Sequence, residues 1–389
     1  MTPNPSERLQ GIDIARTCAI CGMFVVHAFL VLGPPSSGLS GWERIVFNLT
    51  EGRAAATFVL LAGLGVGQLL SRRETTDSRR VLWRRALFLW VLGVLNLIVW
   101  PGDILRLYGV ALLASPWLHR WSSKALSGLV AALILISPLA AVFVDWDARW
   151  DWATLTYRGL WTPSGFALNL VVDGFRPLLP WLAFFVLGLR LARLDWRDRA
   201  TQWRMLWAGI CLFVLSEFVS AGLVKVAIQS AMGERLGATV VAALLGTHSL
   251  PSMPLFMLSA LGIASLVLGG SFVLGNHVPR CIREALVSTG RLALTWYLGH
   301  VLLLVGLSVA GYGNRLSALA AMGVAFAGFA GVIAVSYLRG GAPMLLERML
   351  RRFSTPSPGP GPDKAAVVLP EGVTPAADRR RDGEIANHD

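Results

Sequence analysis

Residues 11–27 read Gly11-Ile-Asp13-Ile-Ala-Arg16-Thr-Cys-Ala-Ile-Cys-Gly22-Met-Phe-Val-Val-His27. The stretch continues apolar to about residue 33, which suits a helix that needs ~20 residues to cross a hydrocarbon core. It nevertheless carries an acid, an arginine and a histidine. A charge at a helix centre in lipid costs roughly 2.5–3.5 kcal/mol on insertion scales, so each of these residues needs a reason. Asp13 and Arg16 are three apart and can pair along the helix surface. Arg16 and His27 are eleven apart, close to three full turns, so Asp13, Arg16, Ile20 and His27 share one face. That face is expected to point into a helix bundle. At ~1.5 Å per residue, His27 lies about 22 Å from the inner end of the segment, in the outer third of the membrane. Its imidazole reads as a titratable base or nucleophile matched to neutral pH, or as a buried ring donating to a backbone carbonyl. The Asp13–Arg16 pair reads as a depth-fixing ion pair or as part of a binding surface.

Composition extends this reading to the whole chain. Of 389 residues, 54% are hydrophobic and 15% charged, against about 25% charged in soluble domains, and the mean hydropathy is +0.59. The expectation is an all-α polytopic membrane bundle of about ten or eleven transmembrane helices. Ten segments qualify: about 12–33, 54–71, 86–100, 104–118, 124–144, 177–192, 204–228, 251–274, 291–311 and 316–338. The third and fourth are short and joined by Pro101-Gly102-Asp103; residues 236–247 are a candidate re-entrant eleventh piece. The net charge of +12 comes from 32 Arg and 3 Lys against 23 acids. Arginines gather at 72, 73, 79, 80, 84 and 85, at 193, 197, 199 and 204, and at 280 and 283. All these loops fall on one side with both termini, giving an N-in, C-in orientation. The opposite, longest loop (145–176) holds four Asp against three Arg. Such a distribution needs no nucleic acid partner. Residues 343–353 suit an amphipathic helix at the inner interface. The domain is expected over 1–353, with a disordered cytoplasmic tail over 354–389.

Further ionisable and aromatic residues collect toward the outer side: Glu51 and Arg53; Asp103, Arg106 and Tyr108; Asp173 and Arg176; Glu217 and Lys225; and Thr295, Trp296, Tyr297 and His300 after Arg291. Together they suggest a polar cavity reaching inward from outside. Gly63, Gly65 and Gly67 read as a close-packing helix surface. Trp146, Trp150, Trp152 and Trp161 form an interfacial belt or a sugar-stacking platform. Cys18 and Cys21 lie within the first helix and carry no redox or metal signature.

Four ordered motifs carry a family resemblance. RLQGIDIARTCAICGMFVVH (8–27), EGRAAATFVLLAGLGVG (51–67), WPGDILRLYGVALL (100–113) and STGRLALTWYLGH (288–300) resemble YeiB-like proteins and the heparan-α-glucosaminide N-acetyltransferase-like family; GAPMLLERMLRRF (341–353) resembles the closing segment of the former. Two departures stand out. Thr17 replaces the family's glycine after Arg16, and residues 34–53 lack the histidine that the acetyltransferase-like enzymes place after the first span. The resemblance implies a multi-pass protein of a bacterial inner or plasma membrane that takes an acyl group, acetyl above all, from cytoplasmic acyl-CoA. The acceptor would be an extracytoplasmic hydroxyl or amine, on a glycan or lipid-linked sugar. In that reading His27, Asp103 and Tyr108 are catalytic, and Asp13, Arg16, Arg53, Arg291, Tyr297 and His300 bind substrate or donor. Arg16, Arg291 and the 79–85 arginines would meet the CoA phosphates; Tyr108, Arg53 or Tyr297 would stabilise an oxyanion; Asp103 would orient the acceptor or the imidazole. No metal is expected, the bilayer is the partner, and self-association is left open. A proton-coupled transporter or a membrane protein without catalysis are the alternatives.

Overall fold

The computed structural model describes residues 9–35, 38–72, 76–152 and 154–355. The expected tail lies outside the described residues from 356 on, as do Arg8 and Arg73. The chain is a helical bundle built around α1 (Gln10–Leu32), which ends at Gly33. Asp13, Ile20 and His27 are buried and Arg16 is half-buried, so the charged face of this helix turns inward. A helix α2 (Gly41–Thr50), opened by a Ser40–Glu43 capping box, leads into α3 (Arg53–Arg72). Then follow α4 (Thr76–Asn96), α5 (Leu105–Leu118) and α6 (Ser123–Phe143). The outer loop holds a two-residue hairpin pairing Trp150 with Tyr157, a short helix α7 (Pro163–Leu168) and a π-helical turn (Asn169–Asp173). It is followed by α8 (Leu178–Leu191) and the 30-residue α9 (Arg199–Ile228). The second part of the chain contains short outer helices α10 (Ala231–Leu236) and α11 (Ala238–Leu245), then α12 (Pro254–Gly275), α13 (Arg280–Arg291), α14 (Ala293–Leu307), α15 (Ala318–Leu338) and α16 (Leu345–Ser354).

Each of the ten expected segments falls on one helix: α1, α3, α4, α5, α6, α8, α9, α12, α14 and α15. Among the described residues, however, seven helical runs are long and apolar enough to cross a membrane, or eight if α7 with its π-turn and α8, bent by 51°, make one broken span. Three segments fall short for physical reasons, α8 among them, since its 14 residues reach across only when joined to α7 and its π-turn. The first turns of α4 carry Arg79, Arg80, Arg84 and Arg85, and α5 has 14 residues, so the count of ten or eleven is finer than helix length supports. The expected eleventh piece, 236–247, is α11, a short helix against α9.

Small residues set the closest helix approaches. A methyl on Gly63 would run into the Phe185 carbonyl, and one on Gly188 into that of Leu60; the glycine run of α3 therefore packs α3 on α8, as its pattern suggested. Gly290 lies equally close to the Asp13 backbone, seating α13 on α1. On the arginine-rich side, Asp198 caps α9 by accepting from the backbone of Ala200 and Thr201 and the Thr201 hydroxyl. Those bonds hold its carboxyl below the usual range. Glu347 of α16 is buried and accepts from the Thr295 backbone N–H (2.9 Å) and hydroxyl (2.7 Å) at the start of α14.

Candidate active site

Helices α1 and α14 bring two histidines together. His27 Nδ1 and His300 Nε2 are 2.8 Å apart, and the rings are parallel within 6° with centres 5.0 Å apart. An N···N separation so much shorter than the centre-to-centre distance means that the rings meet edge to edge, as an N–H···N bond requires. The second nitrogen of His300, Nδ1, lies 2.9 Å from the Trp296 carbonyl. A carbonyl only accepts, so this nitrogen carries the hydrogen. Neither ring pairs with a carboxylate among the described residues, and an uncompensated buried imidazolium is costly, so both are neutral. Nε2 of His300 therefore accepts, Nδ1–H of His27 donates, and the lone pair of His27 is on Nε2. His300 is 0% exposed and His27 6%. Trp100 packs against His27 at 4.7 Å and Phe24 against His300 at 5.0 Å. It is His300, and not Asp103, that orients the His27 imidazole.

A layer of phenols and a buried polar network adjoin the pair. Tyr297, one turn before His300, accepts from the Ile104 backbone N–H at 3.1 Å. Tyr108 lies in the same stack, with Phe58 between the two tyrosines at 6.0 and 6.1 Å. The Tyr108 hydroxyl is buried with no hydrogen-bond partner among the described residues. Asp103 accepts from Asn96 (3.1 Å) and from the Arg106 backbone (3.0 Å), opening α5 after the Pro-Gly turn. Arg106 pairs loosely with Asp103 at 3.5 Å and donates to Asn169 at 3.0 Å, leaving Nη1 without a partner. Asp103 thus anchors the turn whose next residue, Ile104, holds the Tyr297 hydroxyl.

The remaining expected site residues divide between two other regions. Asp13 and Arg16 form a 2.8 Å ion pair toward the inner end, with Arg16 24% exposed and resting on Gly65. Thr17, where the resemblance expects glycine, donates to the Leu286 carbonyl at 2.6 Å and ties α1 to α13. Arg291 is exposed at the end of α13. Arg53 is apart from the histidines. Its guanidinium donates to Ser259 (3.1 Å), to Glu217 (2.7 Å), to Thr247 (3.2 Å) and to the Asn48 carbonyl. These four bonds engage all three of its nitrogens and four of its five N–H donors, so Arg53 ties α3 to α9 and α12. Trp100, Asn96 and Asn169 were not singled out by sequence. Asn96 had a signal in its position seven residues before Asp103 across a turn; Asn169 had none.

A cavity of about 860 Å³ is lined by neighbours of His27, though by neither histidine of the pair. Val26 and Leu30 flank His27 on its wall, and Trp100 packs on His27 itself. Phe29, Phe47, Trp152 and Phe175 add aromatic faces, and Glu51, Arg176 and His248 add the ionisable groups. The loop that supplies Trp152 and Phe175 is held by Asp173, which accepts from Tyr157 (2.7 Å), from Arg149 (3.4 Å) and, through its carbonyl, from the Trp150 indole (2.8 Å). Burial and the neighbouring Asp173 carboxylate push the Tyr157 phenol well up.

Residues 8–220 match the catalytic region of heparan-alpha-glucosaminide N-acetyltransferase. The chain belongs to this family. No curated protein and no solved structure matches it. The matched segment of this family member holds His27, Asp103, Tyr108 and Arg176. Tyr297 and His300 lie beyond it, so the His27 pair is completed from outside the matched region.

Proposed function

We propose that the chain is a membrane acetyltransferase that takes an acetyl group from cytoplasmic acetyl-CoA and transfers it to an extracytoplasmic hydroxyl or amine, on a glycan or lipid-linked sugar. The observation that carries this reading is the His27–His300 bond, which leaves an unprotonated Nε2 on His27, a residue packed against Trp100 of the cavity wall. The CoA phosphates would meet Arg16, Arg291 and the arginines of α4 on the inner side, with Asp13 holding Arg16. The pantetheine arm would extend between α1, α3 and α5 past the Tyr108 hydroxyl, whose lack of a partner suits an acceptor-rich ligand. Both termini lie on the inner side in this arrangement, with all ten helices crossing and α4 and α5 as a short hairpin, in a bacterial inner or plasma membrane.

The step balances within the site. His27 Nε2 takes the proton of the acceptor O–H or N–H as that atom bonds to the thioester carbon. The carbonyl becomes an oxyanion, stabilised by hydroxyl donors from Tyr108 and Tyr297. Collapse breaks the C–S bond, and the imidazolium returns the proton to the leaving CoA sulfur. Meanwhile His27 keeps its Nδ1–H bond to His300, so the charge formed in the step stays partnered. Purified protein in nanodiscs, given radiolabelled acetyl-CoA and a panel of amino sugars and hydroxylated glycans, tests this. Transfer is expected, with a loss of about 10² or more in His27→Ala. Transfer at the wild-type rate by that variant would overturn the assignment of the base.

A further inference from the structure

The helix that closes the described chain carries a positive charge that nothing within it neutralises. α16 has one acid, Glu347, placed four residues before Arg351, a spacing that ordinarily gives an ion pair along a helix. Glu347 is instead buried and bonded to Thr295, and Arg351 stands exposed. Packing of α16 on α4 sets Arg351 beside Arg85 as a like charge. Arg85 Nε reaches the Ser354 hydroxyl at 3.5 Å, and Arg84 Nη1 reaches the Thr355 carbonyl at 3.4 Å. Both contacts are long, and each guanidinium has five N–H donors, so most of the donors stay open. No carboxylate lies within ion-pair distance of Arg84, Arg85 or Arg351 among the described residues. Arg280, in another arginine-rich segment, has Glu284 at 2.7 Å. Two elements remote in the chain thus gather three cations along one seam, and their mutual repulsion is relieved by an anion seated among them.

The surroundings of the seam identify what carries that anion. The Phe353 ring lies 6.0 Å from that of Phe88, and Phe353, Met349 and Leu345 are exposed on the same helix. Trp83, next to Arg84 in the chain, is exposed and stacks on Trp117 at 6.0 Å. Cations among exposed tryptophans and apolar side chains mark the depth at which lipid headgroups meet their chains. A free anion would satisfy the guanidiniums and leave the apolar side chains uncovered, whereas a lipid covers both. We propose that the seam between α4 and α16 binds an anionic phospholipid, with Arg84, Arg85 and Arg351 on its phosphate and Phe353 against its chains. The site does not rest on the acetyl-transfer reading, and it leaves Arg79 and Arg80 of α4 to the CoA phosphates.

The test needs no acetyl-CoA, so its outcome is independent of catalysis. The full chain in detergent micelles is titrated with phosphatidylglycerol and with phosphatidylcholine of the same chain length, and native mass spectrometry reads the lipid retained. Phosphatidylglycerol is expected to bind about tenfold or more tighter, and Arg351→Gln to lower that preference about fivefold, the worth of one arginine near anionic headgroups. Arg84→Gln with Arg351→Gln should remove most of it, and Arg351→Lys should keep most of it. Arg197→Gln with Arg199→Gln, which takes two charges from another arginine-rich segment, should leave it unchanged. A second arm adds inorganic phosphate or CoA at the lipid's own concentration, and neither is expected to displace the phosphatidylglycerol. Displacement by phosphate would assign the seam to a free anion, and displacement by CoA would assign it to the donor; either overturns the proposal. Equal binding of the two lipids, a preference that survives the double substitution in α4 and α16, or one that falls as far in the Arg197/Arg199 control overturns it as well. Should the double variant fail to fold, the single Arg351 variants still decide.

Discussion

A histidine can present a hydrogen or a lone pair to a substrate, and which one it presents is settled here by residues that never reach the cavity. The Trp296 carbonyl fixes the hydrogen of His300 on Nδ1, and His300 in turn fixes that of His27. A base held in the wrong tautomer loses orders of magnitude in rate. His300→Ala is therefore expected to reduce transfer about ten- to a hundredfold with little change in the apparent affinity for acetyl-CoA. His300→Gln, whose side-chain oxygen can still accept from His27, should recover part of the loss. Solid-state NMR of histidine-labelled protein reads the cause directly: His27 should be in the neutral Nδ1–H form with a scalar coupling to His300 Nε2, and the coupling should vanish in His300→Ala. A His27 resonance of the Nε2–H form would contradict the assignment. His27 stood out in the sequence because a titratable residue inside an apolar helix must be explained. His300 was named as well, as a binding residue, but its pairing with His27 was not, because the contact joins residues 273 apart, and no local period reports such a pairing. Arg53 shows the converse: an intramembrane arginine marks polar partners, here Glu217, Ser259, the Thr247 carbonyl and the Asn48 carbonyl.

Among the elements, the α3–α8 pair and the outer loop make separate demands. Gly188 faces the Leu60 carbonyl with no room for a methyl, so Gly188→Ala should part the two helices at a cost of about 1–3 kcal/mol. A lower midpoint in thermal size-exclusion measurements would show it, and an unchanged midpoint would count against the close approach. The glycine run on α3 predicted such a contact but not its partner helix. In the outer loop, the Tyr157 phenol is raised by burial and by Asp173. A group held protonated by the fold contributes stability that is complete below its unfolded pKa of about 10 and is lost as pH rises above it. Alkaline destabilisation of the loop, followed by limited proteolysis, should begin near that pH in the wild type. Tyr157→Phe should open the loop at neutral pH already and flatten the alkaline dependence. The hairpin and the π-turn were not legible, since two-residue strands and a five-residue turn carry no period.

For the molecule as a whole, the alternation of arginine-rich and arginine-poor loops is expected to set the orientation. In a background freed of the four native cysteines, Trp161→Cys should react with an impermeant maleimide in intact cells, and Arg197→Cys only after lysis. The reverse pattern would invert the bundle and move the cavity to the cytoplasm. All-helical membrane architecture was readable from composition and run length, because a charge-poor chain has no other way to satisfy its backbone in lipid. The number of crossings was not, since α4 and α5 are short, charged or both, and their place depends on packing.

The Glu347 carboxylate that accepts from the backbone and hydroxyl of Thr295 makes the last described helix a keystone for the histidine-bearing one. Ending the chain ahead of α16 would strip α14 of its lid of negative charge and leave two donors orphaned, five residues below His300. A truncation ahead of α16 is therefore expected to disturb α14 and, with it, the His27–His300 contact.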